Sequence, residues 1–555
     1  MSRTPQLPAL VTAMTLLGLP LSATAQLRPA VAGTEAAVSS DHPLASAAGA
    51  EVLRRGGNAV DAAITMAGVL AVVRPHMNGV GGDAFMLMHD ARTRTTHAMN
   101  GSGAAGSKAT PAFFAGRSLR SVPSTGILSV SVPGAVAAWA DALQRFGTIS
   151  LAQALAPAIR YAEQGFPVSE RLAADFAEEQ RKIAADPELA RIFMPGGKIP
   201  DVGTLLKQPE LAATLRAIAK EGPTVLYRGE IGRQLVAFME KEQGLITADD
   251  LAKHRTTWPE PISTPYRGRK VIAFPPNTQG VTLLQQLAAA EHFDVAALGH
   301  NSDPYIHTLV GIAGYAYSDR DRFIADPDFA RVPMDRLMSG DHIKMIADSV
   351  RRRAGVIPPA PPSGPDRNGN GDTVYLCVID KDGNAVSYIQ SLFAAFGSGR
   401  MVPGTGITLH NRGSLYELDP AHPNIVAPGK RPFHTLSPAM VLDADGSPFM
   451  VLGSPGGDGQ PQTIVQMLNN VVLFGMTPQA AVDAPRWRAY QDGRLSIEPG
   501  VADSVLAALR ARGHRVQVRP PGAEFGGAQM IMVHPTSKAR IAGSDFRREA
   551  YSVAW

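Results

Sequence analysis

Apolar positions recur at helical spacing through much of residues 26–360. Stretches 43–55 and 58–73 carry the i, i+3, i+4 repeat of a helix with one buried face, and Gly56-Gly57 between them stops one and frees the next. The same spacing predicts helices over 136–146, 151–164, 170–184, 208–220, 231–242 and 283–291, with extended pieces at 84–89 and 270–274. This part of the chain therefore reads as mostly helical. The pattern fails at 356–371, where Pro, Gly and Asn crowd together and predict an exposed, flexible loop. Beyond it the period changes to two. Residues 373–379 and 385–390 read as strands joined by a turn containing Asp382-Gly383, a strong hairpin signal. Later strands are expected at 439–442, 449–452 and 528–533, and a helix at 462–474 after the turn Gly453-Ser-Pro-Gly-Gly457. The pattern is α+β.

Composition narrows the picture. The chain has 555 residues, 45% apolar and 18% charged, enough for a large core. Its net charge is +4, and its basic runs (Arg267, Arg269, Lys270; Arg351 to Arg353) are short and far apart. They lack the dense stripe with interleaved aromatics of a nucleic-acid binder, so no nucleic-acid partner is expected. Cys377 is the one cysteine, so no disulfide can form within the chain. It lies in the β-branched run Val374–Ile379 and reads as a small core residue. The 14 histidines show no H-E-x-x-H spacing. No metal and no cofactor is implied. Residues 1–25 look like a signal peptide: Arg3, an apolar stretch over 10–21 too short to span a bilayer, then Ala23-Thr24-Ala25 as a cleavage site. The mature chain is expected to start near Gln26 and to be exported, periplasmic or secreted, with no membrane partner after signal removal.

A flexible loop joined to a strand whose first residue is Thr is the arrangement an internal autocleavage needs. The loop can leave while the strand stays anchored. Further motifs stand on either side of it. Ser40-Asp-His-Pro-Leu-Ala-Ser46, Leu53-Arg-Arg-Gly-Gly-Asn-Ala-Val-Asp-Ala-Ala63 and Gly79-Val-Gly-Gly-Asp83 precede it. Gly371-Asp-Thr373, Asp382-Gly-Asn-Ala-Val386, Phe396-Gly-Ser-Gly399, Gly429-Lys-Arg-Pro432 and Gly453-Ser-Pro-Gly-Gly457 begin at the junction and follow it. In this order and spacing they resemble the γ-glutamyltransferase family of N-terminal nucleophile hydrolases. The resemblance implies a four-layer αββα sandwich made as one precursor and cut between Asp372 and Thr373. A large subunit, 26–372, and a small one, 373–555, would stay together as a heterodimer. Thr373 would be the nucleophile. A Thr hydroxyl is weak at neutral pH, but a free α-amine of pKa about 7.7–8.0 can serve as its local base. By the same resemblance Ser391 sits beside Thr373, and Gly456 and Gly457 present N–H groups to the developing oxyanion.

The acyl-recognition positions depart from the glutathione-cleaving members. The position of the Arg that holds the glutamyl carboxylate falls at Ser102, and the Ser pair becomes His434-Thr435. Phe393 replaces an Asn, Arg412 replaces the amide after Asn411, and Leu415 replaces the Asp that holds the α-amine. An ammonium group there would lose its partner and meet Arg412. Arg412 either favours an anionic or carbonyl-rich acyl group or forms a structural ion pair. Asn411, Arg412, His434, Thr435, Ser102 and Phe393 are the candidate substrate-binding residues. The segment between Asn411 and Lys430 is short, which favours water as acceptor. Asn411-Arg-Gly413, His422-Pro-Asn424 and Arg431-Pro-Phe-His-Thr435 resemble the branch of cephalosporin acylase-like and oxamate amidohydrolase-like proteins. The expected function is amidohydrolysis through an acyl-enzyme that is hydrolysed or passed to an amine, on a small-molecule acyl amide or γ-glutamyl substrate. The alternatives are a true γ-glutamyltransferase or glutathione hydrolase with a rearranged pocket, and an unprocessed binding protein.

Overall fold

The computed structural model describes residues 28–352 and 372–555. The expected signal peptide and the breaker-rich stretch 356–371 lie outside the described residues. Thirteen strands build two sheets: β1 (Val31–Gly33), β2 (Ala37–Ser40), β3 (Asp83–Asp90), β4 (Thr95–Asn100), β5 (Ile262–Tyr266), β6 (Arg269–Ala273), β7 (Asp372–Ile379), β8 (Ala385–Phe393), β9 (Ala439–Leu442), β10 (Pro448–Gly453), β11 (Gln529–Val533), β12 (Arg540–Ser544) and β13 (Tyr551–Ala554). One sheet runs β13-β2-β7-β8-β3-β4 and the other β1-β12-β11-β10-β9-β6-β5. Neighbouring strands are antiparallel throughout.

The alternation in β7 explains the layering. Val374, Leu376 and Val378 point to one face and join a core shared with helices. Tyr375, Cys377 and Ile379 point to the other and join the core between the sheets, with Phe85, Ile272, Met440, Val451 and Ile531. Helices α1 (Pro43–Arg54), α2 (Ala59–Val73) and α3 (Ala135–Phe146) lie on the six-stranded sheet, with α4 (Leu151–Gln164) packed on α2 and α5 (Pro209–Glu221) on α4. Helices α6 (Gly280–Ala290), α7 (Asp303–Phe323), α8 (Gly340–Arg352) and α9 (Gln460–Val472) cover the seven-stranded one. The result is the four-layer αββα sandwich. Every residue of α2 is buried, so the helix is apolar all round; Asn58 and Asp61 close its N-terminus as a reciprocal capping box. Among the described residues no helix is long and apolar enough to cross a membrane.

The stretch before residue 360 is mostly helical, and the extended pieces at 84–89 and 270–274 are β3 and β6; β1, β2, β4 and β5 add to them. Two points need correction. The helix expected over 170–184 breaks at Glu179 (φ −95°, ψ 8°). Helices α7 and α8 were not expected at all. In α8 the signal was present, because Ile343, Ile346, Ala347 and Val350 form a clean apolar stripe. In α7 it is blurred, because the last turns bury Arg320 and Asp321.

The sheets approach closely where Gly453 faces Tyr375. A Cβ added to Gly453 in β10 would lie 2.3 Å from the Tyr375 ring, whose hydroxyl meets Ser387 Oγ at 2.7 Å. Gly453→Ala should therefore lower stability by about 1–3 kcal/mol or more. Thermal unfolding measures it, and an unchanged midpoint would show that the ring can move aside.

Candidate active site

Thr373 stands at the head of β7, a central strand, and is 1% exposed. The β7–β8 ladder pairs Val374 with Gln390 but Asp372 with Phe393. Ser391 and Leu392 therefore oppose Thr373 alone, a β-bulge. The bulge brings Ser391 Oγ to 3.1 Å from Thr373 Oγ1. Ser391 Oγ also accepts the Phe393 N–H at 2.6 Å. A hydroxyl that accepts there can still donate to Thr373. Phe393 leaves the bulge at φ 77°, a left-handed conformation that costs energy for a bulky residue.

On its other side β8 pairs with β3, and Ser391 stands opposite Asp83. Asp83 is fully buried and gathers three basic side chains. Its Oδ2 accepts from Arg412 Nε at 2.9 Å and His434 Nε2 at 2.8 Å, and lies 3.3 Å from His410 Nδ1. Its Oδ1 accepts from Arg412 Nη2 at 3.2 Å, while Arg412 Nη1 donates to Thr435 Oγ1 at 3.2 Å. Burial opposes the Asp83 charge, but Arg412 and the bonds from His434 and His410 hold its carboxyl well below the usual carboxylate range. Burial pushes His434 down to about 4, with Arg412 adding to the effect. His434 is thus a neutral donor to Asp83 near neutral pH, and its Nδ1 has no partner among the described residues. The Arg412 guanidinium lies 4.5 Å from the centre of the Phe393 ring. Phe393 in turn packs against the apolar group of Val281, Ile324, Leu337, Leu415 and Phe433.

The turn after β10 begins beside the head of β7, since Gly453 lies against Tyr375. Gly456 has φ 129° and Gly457 φ 55°, values that favour glycine. The Pro455 carbonyl accepts the Ser454 hydroxyl at 2.6 Å, and the Gly456 carbonyl accepts the Gly459 N–H at 3.0 Å. A trans peptide points its N–H opposite to its carbonyl. Those two bonds therefore fix the directions of the Gly456 and Gly457 N–H groups.

The remaining candidates fall around this centre. Asn411 Oδ1 accepts the Ala394 N–H at 3.0 Å, and its Nδ2 donates to the Ser124 carbonyl at 2.7 Å. Its amide joins loops on either side of the site. Ser102 is buried, with its hydroxyl 3.4 Å from Asn277 Nδ2. Asn277 in turn accepts the His434 N–H through its backbone carbonyl at 2.8 Å. Arg412, His434 and Thr435 come together at Asp83; Ser102 and Asn411 reach them through neighbours. In the sequence Asp83 stands only as the end of a glycine motif, and nothing local marks a role for it, His410 or Gln279. An Asp closing a glycine turn ahead of an apolar strand, in a chain whose Arg412 can be read as one half of an ion pair, is the available signal. Among the described residues no cluster of acidic, histidine or cysteine side chains is placed to hold a metal ion.

Three buried histidines and the half-buried His254 give the fold a pH dependence. Burial lowers His434 and His514 to about 4, and His42 and His254 to about 3. Unfolded, each binds a proton as pH falls through about 6.5; folded, each resists until about 4 or lower. The unfolded state then holds more protons, so stability drops with acid across that window. Urea unfolding between pH 7 and 4 should show a falling midpoint, with a shallower slope in His434→Gln. An equal slope would mean that His434 protonates without loss of its place.

Comparison with known proteins places this arrangement. The family profile described as Gamma-glutamyltranspeptidase matches residues 45–555. The chain is 40% identical to the glutathione hydrolase-like YwrD proenzyme of Bacillus subtilis over 500 residues, 89% of this chain and 93% of that one. It is 36% identical over 506 residues to the oxamate amidohydrolase proenzyme of Klebsiella pneumoniae, 89% of this chain and 94% of that one. Its fold superposes on the crystal structure of cephalosporin acylase from Bacillus halodurans with a TM-score of 0.89 and 35% identity, covering 98% of this chain and 99% of the other. The chain belongs to the gamma-glutamyltranspeptidase family, and it is an amide-cleaving enzyme of that family's proenzyme kind.

Proposed function

We propose that this enzyme cuts itself between Asp372 and Thr373 and then hydrolyses acyl amides with Thr373 as nucleophile. The observation that carries the reading is the 3.1 Å contact between Thr373 Oγ1 and Ser391 Oγ at the head of a central strand. In maturation the Thr373 hydroxyl attacks the Asp372 carbonyl, the peptide becomes an ester, and water cleaves the ester to leave a free Thr373 α-amine. In turnover that amine takes the hydroxyl proton as Oγ1 attacks the substrate carbonyl. The Gly456 and Gly457 N–H groups receive the oxyanion. The leaving amine departs with the proton, and water releases the acyl group as a carboxylate. Residues 26–372 and 373–555 remain associated as a heterodimer, and the leader over 1–25 directs export to the periplasm or outside the cell. The β7 strand supports this, because its pairing with β2 and β8 holds Thr373 after the chain is cut.

The acyl group we infer is one without an α-ammonium. The Asp83 carboxylate is engaged by Arg412 and His434, and apart from the Arg412 guanidinium on its face, Phe393 packs against apolar side chains. An ammonium brought there would lose its hydration without gaining a carboxylate. Ser102, Asn411, His434 and Thr435 line the polar side of this acyl site. A second reading, γ-glutamyl hydrolysis through a rearranged pocket, is favoured by the similarity to the glutathione hydrolase-like relative.

Two measurements test these statements. On a denaturing gel the enzyme should resolve into two chains, the smaller starting at Thr373, while Thr373→Ala stays whole and inactive. A wild-type chain that stays whole near 58.6 kDa would return the protein to a binding role. Second, glutaryl and γ-glutamyl nitroanilides differ only by the ammonium. The glutaryl compound should show the higher kcat/KM by about 10- to 100-fold, the ratio that loss of a buried polar partner gives. The reverse order would establish the second reading.

A further inference from the structure

We propose that Gln279, held by Arg320, is a positioning residue that sets the oxyanion turn. The inference rests on the role proposed above for Gly456 and Gly457. Gln279 is buried at the start of α6. Its Nε2 donates to the Gly457 carbonyl at 3.0 Å and to the Thr435 carbonyl at 2.7 Å. Its Oε1 accepts from Arg320 Nη1 at 3.0 Å. The amide has one orientation that satisfies all three partners, since a guanidinium only donates and carbonyls only accept. Arg320 Nη1 also donates to Asp458 Oδ1 at 2.9 Å, and its Nε to Asp321 Oδ1 at 2.9 Å. The Tyr317 hydroxyl donates to the Asp458 carbonyl. Two helices thus hold the carbonyls of Gly457 and Asp458 from below.

The geometry gives this clamp a purpose. Gly457 is a glycine at positive φ, so its own backbone barely restrains it. The Gly459 N–H fixes the peptide before Gly457, and Gln279 fixes the peptide after it. With both peptides pinned, the Gly457 N–H has one direction. An oxyanion donor acts by being aimed before the charge develops, so a loosened donor loses rate and leaves substrate binding largely intact. Gln279 and Arg320 precede the proposed cut, and Gly457, Asp458 and Thr435 follow it. The larger piece therefore tunes a donor carried by the smaller.

The experiment compares purified Gln279→Met, which keeps the length and removes all three bonds, with wild type and Thr373→Ala. Each is checked for a Thr373 N-terminus and for its thermal midpoint, then assayed on the better of the two nitroanilides. Processed Gln279→Met should lose about 10- to 100-fold in kcat with KM changed by less than about three-fold. Gln279→Glu should lose as much or more, because its carboxylate faces two carbonyl oxygens. Arg320→Gln, which removes the bond from the other side, carries the same test should the Met variant fail to fold. Wild-type kcat in processed Gln279→Met, with Thr373→Ala dead, would overturn the inference and leave the nucleophile standing. A rise in KM alone would also overturn it, placing Gln279 in acyl binding through Thr435. Activity in Thr373→Ala would instead overturn the proposed function.

Discussion

The buried carboxylate of Asp83 is the constraint on which the site depends. A carboxylate and a guanidinium removed from water each cost several kcal/mol, and only close pairing with added hydrogen bonds offsets that. Asp83 and Arg412 achieve it with two direct bonds, and His434 fills a remaining lone pair on Oδ2. The carboxylate stands at the start of β3, directly across from Ser391. The loops that carry His410, Arg412 and His434 must therefore close onto the same strand pair that carries the partner of Thr373. Were the Asp83 side chain shortened or neutralised, Arg412 would be left charged and buried, and the loops would have no reason to converge there.

The bulge in β8 turns that register into chemistry. A regular ladder would place one residue opposite Thr373; the extra residue bends the strand and rotates Ser391 onto the Thr373 hydroxyl. Phe393 absorbs the distortion at positive φ, with its ring against Arg412 on one side and the apolar group around Leu415 on the other. The residue that leaves the bulge is also the residue that separates the polar and apolar walls. Strand geometry and the proposed acyl site are thus coupled through one backbone irregularity.

What could be read from the sequence was local. The change of period at Thr373, the Asp382-Gly383 hairpin turn and the glycine turn over 453–457 are set by residues near them in the chain, and each is legible. Arg412 stayed ambiguous because its partner lies 329 residues away, and Gln279 was unassigned because Gly457 lies 178 residues away. Charge and amide side chains carry no periodicity that announces such a partner. The same limit explains α7, whose final turns bury Arg320 and Asp321 where a helical stripe should be apolar. Those residues look like surface in the sequence and are the underside of the site in the fold.

The distribution of the site over the chain follows from the chemistry. A nucleophile that must become an N-terminus needs a chain break beside it, and a break removes the covalent restraint on whatever lies upstream. Here the upstream part returns to the site through noncovalent clamps: Asp83 onto Arg412 and His434, and Gln279 with Arg320 onto Gly457, Thr435 and Asp458. Each clamp is buried and charged or multiply hydrogen-bonded, the kind that tolerates no slack. A site built on a cut chain has to replace the lost peptide bond with contacts of this kind. In the proposed mechanism the glycine donors need them most, because the backbone freedom of Gly456 and Gly457 would otherwise leave their N–H groups unaimed.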